Sequence, residues 1–283
     1  MDEIVSNSTK PGTFKSLGVR AVSGITLILI CGLPVYYGGW AMIVLVAFFG
    51  TGMIWEWVRM TDAGFSKLAV ILPILGLLGV LGFAGIGYWA WAVGVVLGAS
   101  VLATLERVRR GEVLWAGAGV IYILMPCLAI IWLRGQGAGV SAPGFAKLLF
   151  VIFVVIAADS FAYLGGSTLK GPKFAPKISP NKTWSGFASG LIGGGIVGMI
   201  VAWFSGMSPL YGLVFSVPVV LASVFGDLLE SAIKRHLDVK DAGDLLPGHG
   251  GLLDRVDSLM MAVLIAVIAL LVWPDFFSTV WSR

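Results

Sequence analysis

Charge is what this chain has least of: Asp, Glu, Lys and Arg together supply 12% of its 283 residues, about half the share of an ordinary soluble domain. So few charges cannot cover a water-facing surface, which excludes a soluble globular protein. Cysteine is nearly absent as well. Cys31 and Cys127 stand far apart in apolar segments, so neither a disulfide framework nor a thiolate metal spacing exists, and both read as small core residues. Two histidines leave little imidazole for acid–base work. There is no internal repeat, no low-complexity tract and no polar stretch long enough to fold as a separate domain. A removed signal peptide is not expected either: no convincing small-residue cleavage pattern follows the first apolar run, and many more such runs come after it.

What the chain has instead is hydrocarbon. Hydrophobic residues make up 58% of it and the mean hydropathy is +0.96. Crossing about 30 Å of bilayer core takes about 20 apolar residues as helix, and nine such windows recur, near 21–38, 40–58, 68–84, 86–104, 114–133, 146–164, 185–204, 210–230 and 257–274. The predicted fold class is an all-α polytopic integral membrane protein with about nine transmembrane helices and a cytoplasmic N-terminus. Residues 1–20 form a cytoplasmic segment and 21–283 a single membrane domain, divided into a scaffold half (21–144) and a catalytic half (145–283) with cytoplasmic loops at 166–184 and 231–256.

Lys and Arg set the orientation. With the N-terminus inside, only Arg134, Lys147 and Arg283 of the nineteen Lys and Arg residues fall outside, as the positive-inside rule requires. The net charge of +4 is then a topology signal that also favours anionic lipid at that face. In the scaffold half, Gly76, Gly79, Gly82, Gly85 and Gly87 predict close helix approach. Glu56 and Arg59, at i and i+3, read as a mutually satisfied pair at a helix end.

Polar chemistry gathers in the second half. One cluster begins at Asp159, an acid at membrane depth, and runs through Lys170, Lys173 and Lys177 to a Ser179-Pro180-Asn181-Lys182-Thr183 turn. Ser179, Asn181 and Thr183 are capping candidates for the helix that follows, and a helix start beside Lys182 is a natural phosphate seat. The other cluster starts with Asp227, Glu230, Ser231 and Lys234, spaced i, i+3, i+4 and i+7 on one helix face. A carboxylate near the centre of a span costs about 2.5–3.5 kcal/mol on insertion scales and so needs a partner. Lys234 can serve Glu230 at i+4; Asp227 has no partner on its own helix. A loop with Asp238, Lys240, Asp241, Asp244 and His249 then closes at Asp254, Arg255 and Asp257. Opposed to Asp227, Asp254 and Asp257 would form an oxygen-rich site fit for a hard cation such as Mg²⁺, while Gly248, Gly250 and Gly251 allow backbone to approach a phosphate. Acids for metal, bases for phosphate and a lipid-level position point to metal-assisted phosphoryl or nucleotidyl transfer to a lipid.

Ser231, Lys234-Arg235, Lys240-Asp241, Gly243, Leu246-Pro247, His249-Gly250-Gly251, Asp254-Arg255 and Asp257 resemble throughout the long signature of the phosphatidate cytidylyltransferases, the CDP-diacylglycerol synthases. The resemblance extends upstream to Asp159, Ala162-Tyr163 and the run from Ser179 to Trp184, with departures at Phe161, Ser167 and Ser185, where Gly, Arg and an acid are common. It implies that CTP and phosphatidic acid are converted to CDP-diacylglycerol and pyrophosphate at the cytoplasmic leaflet, with Mg²⁺ and a monovalent cation such as K⁺. Asp227 and Asp254 then resemble the metal-binding acids, with Asp257 and Glu230 in support. Asp227, Asp254, Lys182 and Lys234 are the catalytic candidates. Asp159, Tyr163, Ser179, Asn181, Lys182, Thr183, Ser231, Lys234, Arg235, Lys240, Asp241, His249, Gly250, Gly251 and Arg255 are the candidates for contact with CTP or the lipid phosphate. The lipid phosphate is already anionic and can attack the α-phosphorus in line without a general base. The implied partners are the two substrates and membrane phospholipid, with no nucleic acid; a homodimer is implied by the family and permitted by the Gly-rich faces. The competing readings are a CTP-dependent lipid or polyprenol kinase, which would leave CDP, and a transporter, against which stand the missing repeat and the one-sided crowding of charge. A CDP-alcohol phosphotransferase is disfavoured because Leu245 stands where its motif needs Gly.

Overall fold

The computed structural model describes residues 29–62, 64–111, 113–245 and 250–274. Helix α1 occupies residues 29–37 of these. It is followed by α2 (Gly39–Thr61), α3 (Lys67–Gly85), α4 (Trp89–Arg107), α5 (Val113–Arg134) and α6 (Pro143–Leu169), then strands β1 (Lys173–Ala175) and β2 (Ser179–Thr183), then α7 (Trp184–Phe204), α8 (Pro209–His236) and α9 (Leu253–Val272). Helices α2 to α9 are each long and apolar enough to cross a membrane. The first span predicted from sequence, 21–38, lies partly outside the described residues.

The breaks between helices follow from local chemistry. Gly38 and Gly39 both take positive φ, 64° and 50°, a conformation costly for residues with a Cβ, and this lets α2 turn back on α1 within two residues. Helices α6 and α8 run to 27 and 28 residues. At 1.5 Å per residue each is about 40 Å long, so both outrun the hydrocarbon core and carry their polar ends past it. Within loop 166–184, where the sequence predicts a turn leading into the next helix, the chain forms the short β1–β2 hairpin.

Two cores hold the bundle. One joins α2, α3, α4 and α5 through residues such as Ile54, Leu77, Val96 and Leu124; the other joins α6, α8 and α9 through Phe150, Val154, Val219 and Val263. Helix α5 contributes to both, with Ile123 in the first and Leu133 in the second. Phe48, Leu75 and Trp203 point outward, 59–73% exposed, as side chains facing lipid do. Because lipid is as apolar as Leu, helix association here rests on close packing more than on burial from water. Packing is close at α7, where a Cβ on Gly190 would lie 2.8 Å from the Ala158 carbonyl oxygen of α6, and one on Gly212 of α8 only 2.3 Å from the Gly198 carbonyl oxygen. The glycines picked out in α3 and its flank divide: Gly76 and Gly85 meet Ala99 and Ile43 closely, whereas Gly82 and Gly87 face open space.

Contacts between helix ends define two faces. On one, Arg134 is buried, and its guanidinium donates to the carbonyl oxygens of Val35, Tyr36 and Gly137. On the other, Arg107 donates to Thr61 O at 2.9 Å, Trp115 lies against His236, and the start of α9 meets α2. The loops carrying both polar clusters open on this second face.

Candidate functional site

The first cluster is built on the hairpin. Pro180 holds Ser179 extended, and β2 pairs antiparallel with β1, Lys173 opposite Thr183 and Ala175 opposite Ser179. Phe174 of β1 stacks on Phe187 of α7 with centroids 5.3 Å apart and meets Trp184 edge-on, which fastens the hairpin to the helix. Thr183 caps α7, accepting from Gly186 N at 3.1 Å. Ser179 and Asn181 do not cap: the predicted turn is a strand, because backbone pairing with β1 takes the place of local side-chain bonds. They line the cavity instead.

That cavity, about 530 Å³, brings together Asp159, Tyr163, Ser179, Asn181, Lys182, Thr183 and Asp227, seven positions singled out from sequence. Ala162 and Gly166 of α6, Phe187 of α7 and Val224 of α8 complete its wall. Lys182 Nζ lies 2.6 Å from Asp227 Oδ2, so the partner that Asp227 lacks on its own helix comes from the other loop. Ser231, one turn on, donates weakly to Asp227 Oδ1 at 3.4 Å.

The second cluster lies where α8 meets the start of α9. Lys234 Nζ sits 3.1 Å from Glu230 Oε1 and 2.5 Å from Asp254 Oδ1, joining the i+4 partner foreseen on α8 to an acid of α9. Asp254 also accepts from Ala242 N at 3.1 Å and Gly251 N at 3.2 Å, so the loop between the helices folds around it. Asp257 accepts from Ser258 N at 2.7 Å and lies close to Glu230. Glu230 is 1% exposed, and among the described residues Lys234 is the one cation paired with it, with no backbone amide donating to its carboxylate.

The four acids proposed as metal ligands thus fall into two lysine-centred groups, Asp227 with Lys182 and Glu230 with Lys234, Asp254 and Asp257. Among the described residues no three Asp, Glu, His or Cys side chains already converge as a metal cage. The donor set nonetheless fits a hard divalent cation: Glu230, Asp254 and Asp257 lie together with Lys234 as their one lysine, and buried negative charge in excess of its partners costs free energy. Arg235, Lys240, Asp241 and Arg255 are exposed on the rim and do not line the cavity. Gly250 has φ 81°, and Gly251 gives its amide to Asp254. His249, with Leu246, Pro247 and Gly248, lies outside the described residues.

Sequence reasoning misplaced Glu56. It forms no ion pair with Arg59, which is exposed; it is 1% exposed and accepts from Leu252 N at 2.8 Å and Leu253 N at 2.9 Å. Its only sequence signal is an acid inside an apolar span, and that does not name a partner nearly two hundred residues away.

Comparison with known proteins gives the arrangement a context. The model of the Cytidylyltransferase family matches residues 18–273. A phosphatidate cytidylyltransferase of Brucella abortus biovar 1 (strain 9-941) is 33% identical over 282 residues, covering 94% of this chain and 98% of that protein. One from Rickettsia conorii (strain ATCC VR-613 / Malish 7) is 27% identical over 255 residues, 87% of this chain and 88% of its own.

Proposed function

Because the chain belongs to the cytidylyltransferase family, we propose that it transfers the cytidylyl group of CTP to phosphatidic acid, giving CDP-diacylglycerol and pyrophosphate. A phosphate oxygen of phosphatidic acid forms a bond to the α-phosphorus of CTP as the bond from that phosphorus to the β-phosphate bridging oxygen breaks. No proton need move at the nucleophile, because the lipid phosphate is already anionic. The observation that carries the reading is the Lys182–Asp227 pair in the wall of a cavity between α6, α7 and α8. It sets a phosphate-binding cation beside an acid at a depth that a lipid headgroup reaches.

Lys182 and Lys234 neutralise phosphate charge, and Ser179, Asn181 and Thr183 offer polar contacts along the hairpin. Arg235, Lys240 and Arg255 on the rim draw in the CTP triphosphate electrostatically. Asp254, Asp257 and Glu230, with Asp227, would hold Mg²⁺, which when bound supplies charge neutralisation at the phosphate oxygens and the departing pyrophosphate. The polar face is the cytoplasmic face of the membrane, the bacterial inner membrane by kinship, and the active form is a homodimer.

Purified protein given CTP, Mg²⁺ and phosphatidic acid in mixed micelles tests this. CDP-diacylglycerol and pyrophosphate should appear in equal amounts; CDP with a phosphorylated lipid product would overturn the reading in favour of a kinase.

A further inference from the structure

Helix α9 carries Asp254 and Asp257 but does not start by its own means. Leu252, at its N-cap, provides no side-chain acceptor, and the first amides are closed off from solvent, with Leu252 5% and Leu253 1% exposed. Unpartnered N–H groups in such a place would be costly. The acceptor comes from the other half of the molecule. Both oxygens of Glu56 on α2 are engaged, Oε1 by Leu252 N and Oε2 by Leu253 N, immediately before Asp254.

Two neighbouring features are shaped around this contact. Gly52 stands one turn before Glu56 on the same face of α2, and a Cβ there would lie 2.9 Å from Leu252 Cδ2. Gly243 packs on the Glu56 side chain so closely that a Cβ would lie 2.8 Å from Glu56 Cγ. The next residue back, Ala242, gives its amide to Asp254. Glu56 therefore touches both walls of the Asp254 environment, the start of α9 and the loop that folds over the carboxylate.

We propose that Glu56 is a positioning residue for the reaction: from the scaffold half it fixes the start of α9 and the 242–243 backbone, and so sets the direction in which Asp254 presents its carboxylate. This rests on the reading of Asp254 as part of the reacting site. It adds that the scaffold half reaches into that site through one side chain.

The test uses the full-length purified chain with Glu56→Ala, Glu56→Gln and, as a control on the site itself, Asp254→Asn. Glu56→Ala is expected to lower kcat about tenfold to hundredfold, the scale of loss from a small misplacement of a reacting group, with KM for CTP changed less than about threefold. Amide exchange in the peptide containing Leu252 and Leu253 should accelerate in the same variant, while α3 and α4 stay protected. Glu56→Gln keeps one carbonyl acceptor and the side-chain length, and should recover part of both effects. It carries the test should Glu56→Ala not fold. A kcat within about twofold of wild type in folded Glu56→Gln and Glu56→Ala, or unchanged exchange at Leu252 and Leu253, would overturn the positioning role. Full turnover by Asp254→Asn would instead overturn the reading of the site on which it depends.

Discussion

Two buried acids on the same face of the molecule are treated in opposite ways. Asp62, at the end of α2, is 7% exposed and has its oxygens taken up: Gly64 N donates to Oδ1 at 3.2 Å, while Ser66 N at 3.2 Å and Arg110 at 2.7 Å donate to Oδ2. Arg107 Nε adds its charge at 3.4 Å, and Arg110 also pairs with Glu106. Glu230, near the end of α8, is 1% exposed, has one lysine at 3.1 Å and, among the described residues, no backbone amide on its carboxylate. Burial alone therefore does not separate a structural acid from one proposed to act in the site. The difference lies in unused acceptor capacity: Asp62 has its oxygens filled by two backbone amides and an arginine, whereas Glu230 has a lysine alone and keeps lone pairs open at a cost in stability.

Substitutions that neutralise the acids without changing their shape can break this contrast. The largest effects belong to the catalytic half. Asp254→Asn should lose nearly all CDP-diacylglycerol formation, and Glu230→Gln should lose about a hundredfold or more while its unfolding temperature holds or rises, because Lys234 keeps Asp254 as its partner and the repulsion between Glu230 and Asp257 is relieved. Turnover near wild type at saturating Mg²⁺ in either variant would remove that acid from the proposed metal site. Lys182→Met is expected to cut turnover about tenfold to hundredfold, since it deletes the cation proposed to meet phosphate; Lys182→Arg should restore part of it, and equal loss in both would point to a shape role.

Asp62→Asn should reverse the pattern. Its unfolding free energy falls by about 1–3 kcal/mol, the cost of breaking charged hydrogen bonds, with turnover per folded molecule unchanged; a fall in turnover at full folding would join Asp62 to the site. The smallest effect is on pH dependence. Burial pulls the Asp62 pKa up, but the Arg110 hydrogen bond, the Ser66 amide and the Arg107 charge outweigh it and hold the group below its ordinary 3.8. A carboxyl depressed on folding gives stability that is full above its unfolded value and is lost as pH falls through the folded one. Thermal unfolding compared between pH 6 and pH 3 should therefore show a steeper acid loss in wild type than in Asp62→Asn, and parallel curves would deny Asp62 its ion pairs.

Much of this was legible in the residues because a membrane is a demanding solvent. Apolar runs of spanning length gave the helices, and the pairing of Lys234 with Glu230 followed from i+4 spacing on one helix. Thr183 could be placed as a cap because capping is local. The hairpin was not legible: Lys173–Ala175 is three residues long and its pairing with Ser179–Thr183 satisfies backbone groups across a loop, leaving no period to read. Glu56 was misjudged for a related reason. Its spacing to Arg59 suggested a local pair, whereas two buried amides of α9 outcompete an exposed guanidinium for its oxygens.

What the sequence determined by itself is the solvent this chain lives in, the helices that solvent demands, and the two clusters in which its few ionisable groups are concentrated. Composition and period are properties of neighbours along the chain, and a bilayer enforces them segment by segment. Tertiary structure alone decided the partners that the helices do not carry themselves: Lys182 with Asp227, Lys234 with Asp254, and Glu56 with the first amides of α9. Those partners lie on different elements, and only the close approach of helices at glycine contacts such as Gly190 and Gly212 brings them within bonding distance.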